Sequence, residues 1–315
     1  MTKNSSRLQR RTVGITTLRQ SREAIFAPTR RPPRAPVTRR FDTPSGFVDI
    51  TGRLGQRHRD VLDALLSIAE DKAIGPDSKL YLIVDPHKLR KAIARTGGGK
   101  DSHEQTMQIL KDLRSANIDL HENGERIIGG ILEEIVDQSA PDATGTRTRT
   151  NPGARLPEKP HTMIDEATPG LGRGAHTHAR TRRRLLGVSF SRAWMRFIRD
   201  DYEMHYNLSG VCALTHGVSA ATARWILTHD PKRQPNGGWF IDTALHAVGV
   251  PDGQSMRDAR RRLLSDAGAL ADLGIRIDED RRKIERVRRG AGDSDEDGND
   301  GGTKGSVAHF PLSVA

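Results

Sequence analysis

The sequence predicts a mainly α-helical protein of α+β class with small β-wings, and three observations carry that prediction. An order of helix, strand, helix, turn, helix and hairpin can be traced over residues 46–138 and again over 186–289. The two tracings superpose at an offset of 157, placing Val84 on Ile241, Asp85 on Asp242, Leu113 on Leu270, Ile118 on Ile275 and Leu120 on Ile277. The segments outside them have compositions that cannot bury a core. A helix-turn-helix followed by a hairpin is the order of a winged helix. Two winged-helix domains in tandem are therefore the predicted architecture.

In the first block, RHRDVLDALLSIAED (57–71) repeats Val61, Leu65, Ile68 and Ala69 at helical spacing, and KLYLIVD (79–85) reads as a short strand. Asp85-Pro86 supplies an N-cap with proline at the first helical position, so PHKLRKAIA is a helix. TGGGKD breaks it, and Ser102 with Gln105 forms a capping-box pattern for SHEQTMQILKDLRSA. NIDLHE and ERIIGGIL, joined by Asn123-Gly124, read as a hairpin because that pair suits a two-residue turn.

The second block begins with a helix expected at about 191–205, then SAATARWILTH (219–229). GGWFID (237–242) is its short strand, Asp242 the cap, and TALHAVG the next helix. SMRDARRRLLSDAGALADL is the helix after the VPDGQ turn, with Ser255 and Asp258 suited to its start. GIRID, a polar turn at Glu279–Arg282, and KIERVRR close the block as a hairpin.

Composition bounds the rest. Apolar residues make up 35% and aromatics 4%, too few for dense packing from end to end. Residues 1–45, with TRRPPRAPVTRR, read as a disordered basic arm; 139–185 read as a Pro/Gly/Arg-rich linker, and 290–315 as a disordered acidic tail. With no apolar run of spanning length and no signal-peptide core, the expected location is cytoplasmic, with no membrane partner. A lone cysteine, Cys212, excludes an internal disulfide framework and a cysteine-cluster zinc site.

The formal charge is +11, and its layout points to nucleic acid. Residues 1–40 hold eleven Lys/Arg against Glu23 alone, while residues 41–138 net −4 and 185–290 net +4. The helix VPDGQSMRDARRRLL concentrates four of the cations. On a helical wheel Met256, Ala259, Leu263, Ala267 and Leu270 share the core side; Arg257 and Arg261 lie opposite, with Arg260 and Arg262 on the flanks. A recognition helix enters the major groove by its N-terminal residues, where arginine forks onto guanine or phosphate. The predicted DNA-contacting residues are Ser255, Arg257, Arg260, Arg261 and Arg262, with Arg281, Arg282, Lys283 and Arg286 on the wing, where the neighbouring Asp278, Glu279 and Asp280 leave a solvated hairpin tip as an open alternative. The corresponding first-block helix offers Ser102, Gln105, Gln108 and Lys111, but Glu104 and the block's negative charge oppose phosphate binding. That block binds DNA weakly or serves self-association, and the sequence leaves both open.

Enzymatic readings fare worse. TGGGKD lacks the glycine at 94 and the Ser or Thr at 101 that a phosphate loop needs, and it follows a helix. His176-Thr177-His178 lies in an arginine-rich stretch, whereas a two-histidine nuclease site needs an apolar residue between them on a strand. Tyr202 and Tyr206 read as packing residues. The expectation is a protein without catalytic residues, cofactor or metal.

SGVCALTHGVSAATARWILTHDPKRQPNGGWFIDTALHAVGV with RRRLLSDAGALADLGIRID, and in the first block ITGRLGQRHRDVLDALLSIAED with SHEQTMQILKDLRSANIDL, resembles plasmid replication initiators of the TrfA/RepA type over about residues 46–289. The resemblance implies sequence-specific binding of repeated origin sites in double-stranded DNA, opening of adjacent DNA, recruitment of host replication proteins such as the helicase and initiator, and a homodimer through the first domain. By position, Arg257, Arg260 and Arg261 read the repeat, while Gln105, Gln108 and Lys111 make a second contact. A winged-helix transcriptional regulator on a single operator is the alternative.

Overall fold

The computed structural model describes residues 13–94, 103–137, 185–198 and 203–287. The chain opens with β1 (Val13–Thr17), α1 (Leu18–Arg22), β2 (Val37–Thr43), β3 (Gly46–Gly52), α2 (Gln56–Ile68), β4 (Asp71–Ile74), β5 (Leu80–Val84), α3 (Pro86–Ala92) and α4 (His103–Ser115). There follow β6 (Asn117–Glu122), β7 (Glu125–Gly129), β8 (Leu132–Asp137), β9 (Leu186–Phe190), α5 (Arg192–Ile198), β10 (Glu203–Asn207), α6 (Leu208–Ala213) and α7 (Gly217–Leu227). The last elements are β11 (Trp239–Phe240), α8 (Ile241–Ala247), α9 (Gln254–Ser265), α10 (Ala267–Ala271), β12 (Ile275–Asp278) and β13 (Lys283–Arg286).

Among the described residues about 40% are helical and 31% are strand, and the strands form four antiparallel sheets. The predicted mainly α fold of tandem winged helices is thus corrected to an α+β mixture. The first block shows why. A wing needs its lone strand on the following hairpin, yet β5 pairs with β4 and β9, in a sheet of order β4-β5-β9-β8. The β6–β7 hairpin instead extends β2–β3, in the order β2-β3-β6-β7, so β3 already occupies the edge of β6 that β5 would need. ERIIGGIL is not one strand arm: β7 ends at Gly129, and β8 continues in the other sheet. The predicted turn at Asn123-Gly124 is present, both residues having positive φ.

Residues 13–45 are not an arm. β1 pairs with β10 in register Val13↔Asn207 to Thr17↔Glu203, and β2 pairs with β3 from Val37↔Gly52 to Thr43↔Gly46. Thr17 caps α1 in a capping box with Gln20. Arg19 donates to the Phe197 carbonyl, Arg22 to Thr228 and Arg39 to the Ile25 carbonyl, so these cations serve the fold. The chain also runs close against α7, where a Cβ on Gly217 would sit 2.4 Å from the carbonyl carbon of Thr29. Residues 1–12, the 138–184 stretch and the tail after 287 lie outside the described residues.

The second block is nearer its prediction, with corrections. The helix expected at 191–205 is α5, ending at Ile198, and β10 follows from Glu203. Asp242 is not the cap of α8, whose N-cap is Phe240. α9 starts after Gly253 (φ 81°), ahead of Ser255, and breaks at Asp266 into α10. The 157-residue offset is out of register at element boundaries, since α4 corresponds to the end of α9 plus α10 and Val84 closes a strand where Ile241 opens a helix, but Leu113 and Leu270, like Val84 and Ile241, are buried at both positions. It holds at the hairpins, where Ile118 and Ile275 are both fully buried. β11 joins β13 beside β12, in the order β11-β13-β12.

One continuous apolar cluster runs through both blocks, from Val48, Leu65 and Leu113 to Trp194, Ile226 and Leu263. Within it lies a buried ionic cluster from the first turns of α2 and from α7. Arg224 donates through Nη2 to Asp60 at 2.5 Å, through Nη1 to Gln56 at 2.8 Å, and through Nε to Asp63 at 3.2 Å. Arg59 forks onto Asp63 at 2.9 and 3.0 Å and donates to Ser21, Thr16 and the Gln20 carbonyl. Arg30 reaches Asp60 at 2.8 Å. Tyr206 donates its hydroxyl to Asp63 at 2.5 Å, and burial pushes the phenol well above its usual range. Each arginine thus meets a carboxylate where neither could remain alone. Among the described residues, no helix is long and apolar enough to cross a membrane.

Candidate nucleic-acid interface

α9 is helical because its apolar residues recur three and four apart, and Met256, Ala259 and Leu263 are buried against the core as the spacing requires. The other side is what remains: Ser255, Arg257, Arg261 and Arg262 are all exposed. The two acids that could balance them are disposed differently. Asp266 is buried and accepts the backbone N–H groups of Thr215 at 3.2 Å and His216 at 2.9 Å, fixing the turn before α7. Burial alone would raise its carboxyl, but those N–H groups and Ser219 hold it below the ordinary aspartate value. Asp258 pairs with Arg261 at 3.3 Å on the surface. Among the described residues no carboxylate pairs with Arg257 or Arg262. The face is unbalanced, and the imbalance comes from where the acids go.

Arg260 stands apart from its neighbours. Its Nε and Nη2 both bind the Asp242 carboxylate in the first turn of α8. That fork, above all its hydrogen bonds, holds Asp242 below its usual value and clamps α8 to α9. Arg260 is thereby a strut between the two helices, partly exposed.

The wing divides the same way. Arg281 and Arg282 are exposed in the β12–β13 turn, where Arg282 has φ 52°, and Arg281 faces Asp278 at 3.7 Å. Lys283 donates to the Asn236 carbonyl at 2.9 Å. Arg286 turns inward, donating to the carbonyls of Leu227 at 3.0 Å and His229 at 2.7 Å, and burial lowers its guanidinium. It is placed as a brace of the α7 end and not on the exposed face.

The first-block helix presents no comparable surface. Gln108 donates to Asp112 at 2.9 Å, Gln105 is exposed but engaged, and Lys111 is exposed beside them. Asp112 also meets the buried His58 at 3.2 Å. Ser102 lies outside the described residues, as do TGGGKD, the 176–178 histidines and Tyr202. Tyr206 is in β10, buried under the ionic cluster.

Sequence reasoning missed Phe240 and the ionic cluster. The first carried no motif, only an apolar letter at a cap position. The second was written in the spacing of Arg59, Asp60 and Asp63, which reads equally well as a solvated face until strands from elsewhere cover it. Comparison of the chain with family models, with curated proteins and with solved structures finds no match.

Proposed function

We propose that this chain is a sequence-specific binder of double-stranded DNA that acts, without catalysis, as an initiator of plasmid replication. The observation that carries the DNA reading is the face of α9, with Arg257, Arg261 and Arg262 exposed and only Asp258 among them on the surface. Arginine presented this way suits bidentate contact with guanine O6 and N7, or with phosphate. Gln254 and Ser255 in its first turn are exposed and that turn holds no acid, which favours a phosphate beside it. Arg281 and Arg282 are also exposed on the following hairpin, beside Glu279 and Asp280, and offer a secondary backbone contact.

The initiator reading rests on the resemblance of the second-block segments, and it brings repeated origin sites, the host helicase and a homodimer as proposed partners. DNase footprinting of the full chain over DNA flanking its own gene tests both levels. Evenly spaced protections over direct repeats, lost with Arg257→Ala, are expected. A single protected operator would replace the initiator with a transcriptional regulator. Salt-sensitive retention of DNA of any sequence, without a footprint, would remove α9 as a reader of bases.

A further inference from the structure

Phe240 sits where a helix wants something else. It is the N-cap of α8 (φ −62°, ψ 139°), the position where Ser, Thr, Asp or Asn would accept a first-turn N–H, and it makes no cap hydrogen bond. Its ring is 60% exposed, more than any other large hydrophobic among the described residues. Phe240 thus gives α8 no side-chain cap and leaves a large apolar ring surface in water, so covering that ring would be favourable.

The ring's surroundings say what would cover it. Lys283, its partner across β11–β13, places Nζ 5.4 Å from the ring centroid. The N–H of Ile241 donates to the carbonyl of Arg282 at 2.9 Å, tying the residue after Phe240 to the wing turn. Two residues on, Asp242 is forked by Arg260 of α9. Just before β11, Gly238 (φ +84°) lets the backbone pass so close to β13 that a Cβ would stand 2.3 Å from the Ile284 carbonyl oxygen, and Trp239 and Phe240 then pair with Ile284 and Lys283. Phe240 thus lies where α8, tied to α9 through Asp242 and Arg260, meets the β12–β13 hairpin, whose exposed tip carries Arg281 and Arg282 beside Glu279 and Asp280. A cation beside an exposed aromatic ring matches a nucleotide, with phosphate for Lys283 and a flat apolar face for the ring.

We infer that Phe240 is a DNA-contacting residue that packs its ring on the base or deoxyribose of one nucleotide, between the segments contacted by α9 and by the wing. The inference rests on the DNA-binding reading and adds a contact that is not ionic. Its test uses the full chain with Phe240→Ser, Phe240→Trp and Arg257→Ala, titrated against a labelled mixed-sequence DNA duplex and its separated strand over a range of salt. Phe240→Ser is expected to raise the thermal midpoint by restoring a cap, yet to weaken binding roughly 5- to 100-fold. The salt slope should stay unchanged, whereas Arg257→Ala should reduce it by about one. Phe240→Trp should keep the affinity. A loss on the duplex places the ring in a groove, and a loss confined to the strand places it on an unpaired base. Unchanged affinity in Phe240→Ser while Arg257→Ala weakens binding would overturn this inference alone. A joint loss of stability and affinity would make Phe240 a folding residue. If the wild-type chain binds neither probe, the DNA reading falls and this one with it.

Discussion

Arg224 and Arg257 are the same residue on two helices of one block, and they stand at opposite limits of what arginine can do in a protein. Arg224 is buried, and every one of its nitrogens has a partner: Asp60, Asp63, Gln56 and the Tyr206 hydroxyl. Arg257 is exposed, with no carboxylate beside it among the described residues. The first links α7 to α2 across a boundary that the sequence draws between two blocks. The second keeps its charge at the surface. Counting arginines cannot separate the two; the position of the acids can. Asp60 and Asp63 are drawn inside with their cations, while on α9 one acid is drawn inside without them.

The largest expected effect comes from breaking the buried side. Arg224→Leu leaves Asp60 and Asp63 short of a cation in the core and should cost about 3–5 kcal/mol, read from the urea midpoint. A loss below about 1 kcal/mol would mean that Arg30, Arg57 and Arg59 suffice without it. The same cluster sets an acid dependence. Burial alone would raise the Asp60 carboxyl, but Arg224, Arg30 and Arg57 together hold it below its ordinary value. A carboxylate depressed in the folded state contributes stability that is complete above its unfolded value of about 3.9 and disappears as pH falls toward the folded one. Urea midpoints should therefore be steady near neutrality and fall steeply below about pH 4, with a shallower fall in Arg224→Leu.

On the exposed side the signs of the experiment reverse. Arg257→Ala should leave the urea midpoint within about 0.5 kcal/mol of the wild type, because no packing or ion pair is lost. DNA affinity should fall by about 1–3 kcal/mol at the site it reads. Equal losses of stability and binding would erase the distinction between the two arginines.

What was legible in the sequence follows a physical line. α2, α3, α7, α9 and the Asn123-Gly124 hairpin are legible because their signals are local: apolar spacing, turn residues and, for α3, an Asp-Pro cap at Asp85. The α9 core side was read correctly for Met256, Ala259 and Leu263. β1 was overlooked although VGITT is β-branched and Thr17-Leu18-Arg19-Gln20 is a capping-box pattern, because the surrounding Pro and Arg dominated the composition. Its pairing with β10 could not be read at all, since the partner lies far along the chain. The same distance hid the sheet that joins β5 to β9, and with it the mixed α+β class. The partners of Arg260 and Arg286 are not legible in the sequence, because a wheel or a charge count does not show which carboxylate or carbonyl a long side chain will find.

The smallest effect is the most selective test of the comparison. Asp258 is the one acid left among the α9 arginines at the surface, holding Arg261 at 3.3 Å and accepting from Gln254 at 3.3 Å. An exposed pair of this kind contributes little to folding, about 0.3–0.5 kcal/mol. Asp258→Asn keeps the size and the Gln254 contact within reach while removing the charge that competes with phosphate for Arg261. The expected outcome is a urea midpoint nearly unchanged and DNA binding tightened a few-fold at low salt, fading as salt rises because the added attraction is screened. The corresponding change in the buried cluster, Asp60→Asn, removes a partner of Arg224 and Arg30 and should lower the midpoint with no gain in binding. One substitution, Asp to Asn beside an arginine, is then expected to loosen the protein in one place and to tighten its grip on DNA in the other. A tightening absent at α9, with stability lost there as at Asp60, would show that Arg261 is committed to the fold and not to a ligand.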